Sequence, residues 1–389
     1  MKITHLLMAL VFATCCFAQE NVNFGQQKEI VSPEIHADNS VTFRMVAPDA
    51  KKVQIESDFL PPSGFAKGTA DFKKDADGIW TFTSDKLASE LYSYQFIIDG
   101  IKVHDPNNAF LIRDVSTIVN VFIIGNGKAD DYKTKDVPHG TVTRRWYDSP
   151  TLKMSRRVTI YTPPGYETSN EKYPTLYLMH GAGGDEEAWI ALGRTAQIID
   201  NLIAEKKARP MLVVMTNGNA NQTAAPGESS AAWTKPIFIQ PDIWSGNTEK
   251  AYPDVIKFVE SNYRVKKEKA SRAIAGLSMG GMHSLTISAN NPDTFGYVGV
   301  FSSAQLQPKD AKGDVYQNFD QKLKTQKEKG FKLYWIAIGN TDFLFKQSNE
   351  FRAKLDAMKF PYKYMESQGG HTWSNWRDYL TEFAPMLFK

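Results

Sequence analysis

Six residues, Gly276-Leu277-Ser278-Met279-Gly280-Gly281, leave this chain little freedom in its choice of fold. They directly follow the apolar run SRAIA at 271–275 and directly precede a helix-like stretch at 281–290. A serine held in a tight strand-to-helix turn needs glycine two positions to either side, because larger side chains there would strike the neighbouring strand and helix. The strained turn lifts the hydroxyl above the sheet and leaves the Met279 N–H facing any carbonyl oxygen bound there. The N-terminal end of the following helix adds a positive field at the same point. Such a turn belongs where strands alternate with helices.

The surrounding sequence has that texture. From Gly140 to the end, strand-like runs at 157–161, 175–179, 211–215, 272–275, 333–338 and 363–366 alternate with helix-like runs at 194–206, 252–262, 281–290, 349–358 and 373–383. Continuous apolar strands alternating with helices predict a mostly parallel sheet covered on both faces, an α/β fold with its reactive groups at the carboxyl ends of the strands. The front of the chain reads differently. Between 28 and 125, short runs at 41–46, 52–57, 79–83, 92–98 and 117–124 are separated by turn signals and show no helical period. That spacing predicts a small β-sandwich. The polar stretch 126–139 between the two reads as a linker, and 389 residues suit two domains.

A hydroxyl is a poor nucleophile near neutral pH and needs a base, which in turn needs an orienting acid. In a sheet of this kind the order along the chain is serine, acid, histidine. Of seven histidines only His371, in the loop Gly369-Gly370-His371-Thr372-Trp373, comes late enough. The strand at 333–338 is followed by Gly339-Asn340-Thr341-Asp342, which makes Asp342 the candidate acid. The second backbone donor for a developing oxyanion is expected after an early strand. His180-Gly181-Ala182-Gly183-Gly184 stands there, so Ala182 and Met279 are the candidate oxyanion donors and His180 a brace for the loop. Asp185, Glu186 and Glu187 read as acidic residues opening a helix. No cofactor and no metal is called for by this chemistry.

Composition narrows the rest. The formal net charge of +3 is spread over the chain, with no basic block of the kind that binds nucleic acid. Lys2, the apolar run at 6–17 and the exit Cys16-Phe17-Ala18 read as a secretory signal peptide, residues 1–18, which places the protein outside the cell or in a periplasm. The chain has two cysteines, Cys15 and Cys16, and cleavage after Ala18 removes both, leaving stability to the core. A lipid anchor at Cys15 is the lesser alternative, since Phe12 and Thr14 make a poor lipidation signal. No later segment is apolar enough for a membrane helix.

With these residues placed, the segment from about 140 to 389 resembles the feruloyl and acetyl-xylan esterase branch of the esterase D-type family, which has the α/β-hydrolase fold. The motifs that carry the likeness are LYLMHGAGGDEEAW, VESNYRV, RAIAGLSMGGMHSL, NPDTFGYVGVFSSA, WIAIGNTDFL and GGHTWSNWRDYL. The resemblance implies the Ser278, Asp342, His371 triad, the Ala182 and Met279 oxyanion pair, and action on esters decorating plant cell-wall polysaccharide. The front of the chain resembles the immunoglobulin-like module of glycogen-branching-type enzymes through VTFRMVAPDAKKVQI and YSYQFIIDG.

The stretch 218–250 is the least family-like part and is expected to line the acyl or sugar pocket. Trp233 and Trp244 within it, and Trp373 and Trp376 beside His371, either stack on a ferulate ring or sugar or fill a core. Trp80, Tyr92, Tyr94 and Phe96 of the front module read as strand core in preference to a sugar platform. Two other functions stay open at this stage. One is release of different acyl groups, a siderophore triester among them, or transfer to an alcohol in place of water. The other is a non-catalytic carbohydrate-binding protein, which would require a lost triad member, whereas all three are present. Acyl specificity and oligomeric state are not legible.

Overall fold

The computed structural model describes residues 30–62, 66–230, 238, 242–306, 311 and 313–389. The signal-peptide candidate 1–18, with Cys15 and Cys16, and the substrate-binding candidate Trp233 lie outside the described residues.

Eight strands build the main sheet, in the spatial order Thr141–Ser149, Met154–Thr162, Leu212–Thr216, Thr175–Met179, Arg272–Leu277, Tyr297–Phe301, Leu333–Gly339 and Lys363–Ser367. The first three are joined antiparallel, and from Leu212–Thr216 onward every neighbour runs parallel. The inner parallel strands are buried on both faces, which is why they are continuously apolar. Successive residues of one strand enter different cores: Leu176 and Leu178 join one cluster, Tyr177 and Met179 the other. Helices Thr195–Ala204 and Trp373–Phe383 cover the first face, and Asn247–Asn262, Met279–Asn290 and Phe345–Ala357 the second. This is an α/β-hydrolase arrangement. Strand order reverses around Thr175–Met179, so the ends of that strand and of Arg272–Leu277 open side by side onto the crevice where such sheets bind ligands.

The front of the chain forms two antiparallel sheets. One contains Glu34–Ile35, Val41–Val46, Ile79–Thr83 and Lys73–Lys74; the other contains Gly68–Asp71, Val53–Ser57, Glu90–Ile98, Thr117–Ile124 and Leu111–Asp114, with Ile101–Val103 paired to Glu90–Ile98. Between them lies a third core that includes Trp80, Tyr94 and Phe96, which therefore pack as strand core and form no exposed sugar platform. The alternate residues Leu91, Val119 and Val121 face the other way and join the core of the main sheet beside Trp189 and Leu192.

The 126–139 stretch is packed along part of its length. A short 3-10 helix, Lys128–Asp131, buries Ala129, and Tyr132 is buried after it. Asn201 donates to the carbonyls of Asp131 (2.9 Å) and Lys133 (3.0 Å). Next to it, Glu90 accepts from Arg377 (2.8 Å), Lys128 (2.8 Å) and the hydroxyls of Tyr132 and Ser374. Burial works against the Glu90 charge, but Arg377 and Lys128 hold its carboxyl down to about 2. Among the described residues, no helix is long and apolar enough to cross a membrane.

Candidate active site

Ser278 occupies the turn between Arg272–Leu277 and Met279–Asn290 with φ 52° and ψ −121°, a conformation residues with side chains rarely adopt. The flanking glycines are forced by space. A Cβ on Gly276 would lie 2.9 Å from the Met179 carbonyl oxygen and nearer still to the backbone of Gly280. One on Gly280 would lie 2.6 Å from the Met179 carbonyl carbon and nearer still to the carbonyl oxygens of Met179 and His180. The turn is pinned by the Ser278 N–H donating to Phe301 O (2.8 Å) and by the Ser303 hydroxyl donating to Ser278 O (2.6 Å).

Asp342 and His371 are brought together from the ends of adjacent strands. His371 Nδ1 stands 2.9 and 3.0 Å from the two carboxylate oxygens, and the Leu344 N–H donates to the same carboxylate (2.8 Å). Burial pushes the Asp342 carboxyl up, but His371, the Leu344 N–H and Ser302 outweigh it and the net shift is downward. An ionised carboxylate only accepts, so Nδ1 carries a hydrogen, and in the tautomer this contact selects Nε2 is the acceptor. The ring sits between Phe343, at a centroid distance of 4.4 Å, and Trp376, perpendicular at 5.0 Å.

Ser278 and His371 line one cavity of about 1650 Å³, together with Gly181, Ala182 and Met279. Met279 opens its helix, where N–H groups have no acceptor four residues back. The Ala182 N–H has no acceptor among the described residues. His180 is wholly buried: Nδ1 donates to Gly181 O (2.7 Å) and Nε2 accepts the Gly218 N–H (2.8 Å). Both nitrogens are thus occupied by a neutral ring, and burial drives its pKa to about 4. It braces the loop, as its place in the sequence suggested.

Trp244 and Trp373 both line the cavity. Trp244 also meets Tyr316 edge-on, and Trp373 packs perpendicular to Trp189 (5.4 Å) and Trp376 (5.1 Å), so each serves the wall and its packing at once. Several wall residues were not anticipated. Phe343 follows Asp342 directly in the motif and was findable there. Arg113, Asp114 and Val115 come from the front sheet, and nothing local in the sequence marks them, while Tyr92, read as strand core, packs partly against that core and also lines the cavity. The acidic trio also does more than open a helix. Asp185 pairs with Arg113 (2.6 Å), and Glu187 with Arg144 (2.7 Å) and Arg157 (3.0 Å), while Glu186 accepts from Ala225 N–H (2.7 Å) and Asn217 (3.0 Å). A serine in a strained turn, an imidazole and two amides, with His371 Nε2 and both amides lacking a partner among the described residues, share one cavity and are the parts of an acyl-transfer site.

Residues 149–387 match the family described as "Putative esterase". An endo-1,4-beta-xylanase/feruloyl esterase of Xylanibacter ruminicola is 28% identical over 365 residues, covering 92% of this chain and 46% of that protein. The chain spans 46% of the length of that relative and 41% of that of two esterases of Mycobacterium tuberculosis that it also matches. Among solved structures, the ferulic acid esterase of Anaeromyces mucronatus is similar at 22% identity and TM-score 0.56, covering 68% of this chain and 96% of that one. The enterobactin esterase of Shigella flexneri is similar at 17% identity and TM-score 0.60, covering 89% and 92%. At those identities the two structures show a shared fold.

Proposed function

The chain belongs to the putative esterase family, and on that footing we propose that it is a serine carboxylesterase acting on feruloyl or acetyl esters of plant cell-wall polysaccharide such as arabinoxylan. The observation that carries this is the Asp342–His371 pair opening onto the same cavity as the strained Ser278. The substrate class draws support from the 28% identical relative, named for xylanase and feruloyl esterase activities. A cavity of about 1650 Å³ also exceeds the roughly 300–1,000 Å³ typical of small-ligand sites, and its Trp244, Trp373 and Phe343 offer flat apolar faces to a ring.

In this reading His371 Nε2 takes the Ser278 proton as Oγ attacks the ester carbonyl, and the Ala182 and Met279 N–H groups hold the oxyanion. Collapse expels the sugar alcohol, which leaves with the proton returned by His371. Water repeats the sequence on the acyl-enzyme and releases the acid, while Asp342 keeps the imidazole in the tautomer that leaves Nε2 free. The catalytic unit is 140–389, preceded by a sandwich unit at 28–125, and the 1–18 leader directs the protein to the exterior or periplasm.

Two measurements test this. Ser278→Ala should abolish hydrolysis of a simple phenyl ester with folding unchanged; retained turnover would sink the assignment. Product analysis on feruloylated and acetylated arabinoxylan oligosaccharides should show release of ferulate or acetate. Release of neither, with cleavage of an aryl siderophore triester, would move the substrate to the rival class.

A further inference from the structure

We propose that Arg113, on the front sheet, is a positioning residue for the oxyanion loop, so that the front sheet is a working part of the active site. The proposal rests on the reading of Ala182 as an oxyanion donor. Arg113 ends in a fork. Nη2 reaches Asp185 Oδ2 at 2.6 Å, and Nη1 donates to Val115 O at 3.0 Å.

Each arm meets something unusual. Asp185 is 2% exposed, and its other oxygen accepts the Glu187 N–H (3.0 Å). A buried carboxylate with one cationic partner holds its position only while that partner stays. Val115 sits at φ 53°, a left-handed conformation costly for a β-branched side chain, which persists only where the surroundings impose it. Its methyls lie against Gly183, where a Cβ would stand 2.9 Å from Cγ1, and Gly183 itself has φ 77°. One guanidinium therefore fixes both the strained turn of the front sheet and the acid that ends the loop.

The loop is tied at its two ends by different parts of the chain. On the sheet side, His180 grips Gly181 O and the Gly218 N–H, and the Gly184 N–H closes back on Gly181 O at 3.1 Å. On the other side stands the Arg113–Asp185 pair with Val115 on Gly183. The Ala182 N–H lies between these ties. Its direction decides whether it meets the oxyanion, and donors of this kind act only within a few tenths of an ångström of their target. A lysine at 113 keeps a charge beside Asp185 but lacks the planar fork that aims one N–H at Asp185 and another at Val115 O.

The test uses the full chain with Arg113→Ala, Arg113→Lys, Asp185→Asn and the Arg113→Ala/Asp185→Asn double variant. Readouts are kcat and KM on p-nitrophenyl acetate, the Ki of a trifluoromethyl ketone whose hemiketal oxyanion occupies the same amides, and Tm. The expected result is kcat down about tenfold or more with KM within about twofold, and ketone Ki raised in parallel. Arg113→Lys should fall between wild type and Arg113→Ala, and the double variant should be no worse than the worse single. Should Arg113→Ala fail to fold, Arg113→Lys and Asp185→Asn carry the same comparison. Folded variants with unchanged ketone Ki overturn the proposal, whatever happens to Tm. If Ser278→Ala is inactive while these variants behave as wild type, only this inference fails; if Ser278→Ala is active, the acyl-transfer reading itself fails.

Discussion

Gly280→Ala should disable the site through a single methyl group. The new Cβ would stand 2.6 Å from the Met179 carbonyl carbon, with the carbonyl oxygens of Met179 and His180 closer. Ordinary carbon contacts lie near 3.5 Å, so roughly 1 Å of relative movement is required. The obstacles cannot supply it cheaply, because Met179 is paired on both sides, with Thr216 and with Gly276. The elbow must move instead. Overpacking of this kind costs about 1–3 kcal/mol, and a 1 Å error in a reacting group can cost about 100-fold in rate. Expected outcomes are kcat on p-nitrophenyl acetate down about 100-fold and Tm lower by roughly 2–12 °C, at about 2–4 °C per kcal/mol for a domain of this size. Gly330→Ala is the control. It has a positive φ of 69° but nothing within 4 Å of its Cβ, so it should lose only about 1 kcal/mol of stability and no activity. A Gly280→Ala protein with wild-type Tm and kcat would refute the steric account of the elbow.

Asp342→Asn keeps the shape of the acid but lets an amide N–H face His371 Nδ1, which moves the ring hydrogen to Nε2 and removes the base; kcat should fall by about three to four orders of magnitude with Tm little changed, as steady-state kinetics and a melting curve will show. His180, with its pKa lowered to about 4, sets an acid limit on stability. The unfolded chain binds its proton first, so this contribution is complete above about 6.5 and is lost as pH falls through about 4, roughly 3 kcal/mol in all. In His180→Gln, whose amide can serve Gly181 O and Gly218 N–H alike, denaturant midpoints between pH 7 and 4 should fall less steeply than in wild type; an equal slope would exclude His180 as the cause.

The sequence alone pointed to the elbow, the candidate acid after its strand and the late candidate histidine, because each is a local pattern. Glycine spacing, an apolar strand and a turn can be read within a dozen residues, and parallel strands declare themselves as unbroken apolar runs. Elements without that contrast were missed. The edge strand Thr141–Ser149 is largely exposed and carries Arg144 and Arg145, and Phe319–Lys329 is a mostly polar helix with few buried residues. Tertiary structure decided the rest of the site. Arg113 meets Asp185 across 72 residues, and Glu90 meets Arg377 across 287. In sequence such residues are ordinary surface charges, since nothing local distinguishes a cation facing water from one facing a buried carboxylate. That the front sheet forms a wall of the cavity, with Arg113 gripping the loop that carries Ala182, follows from packing over distances no sequence period records.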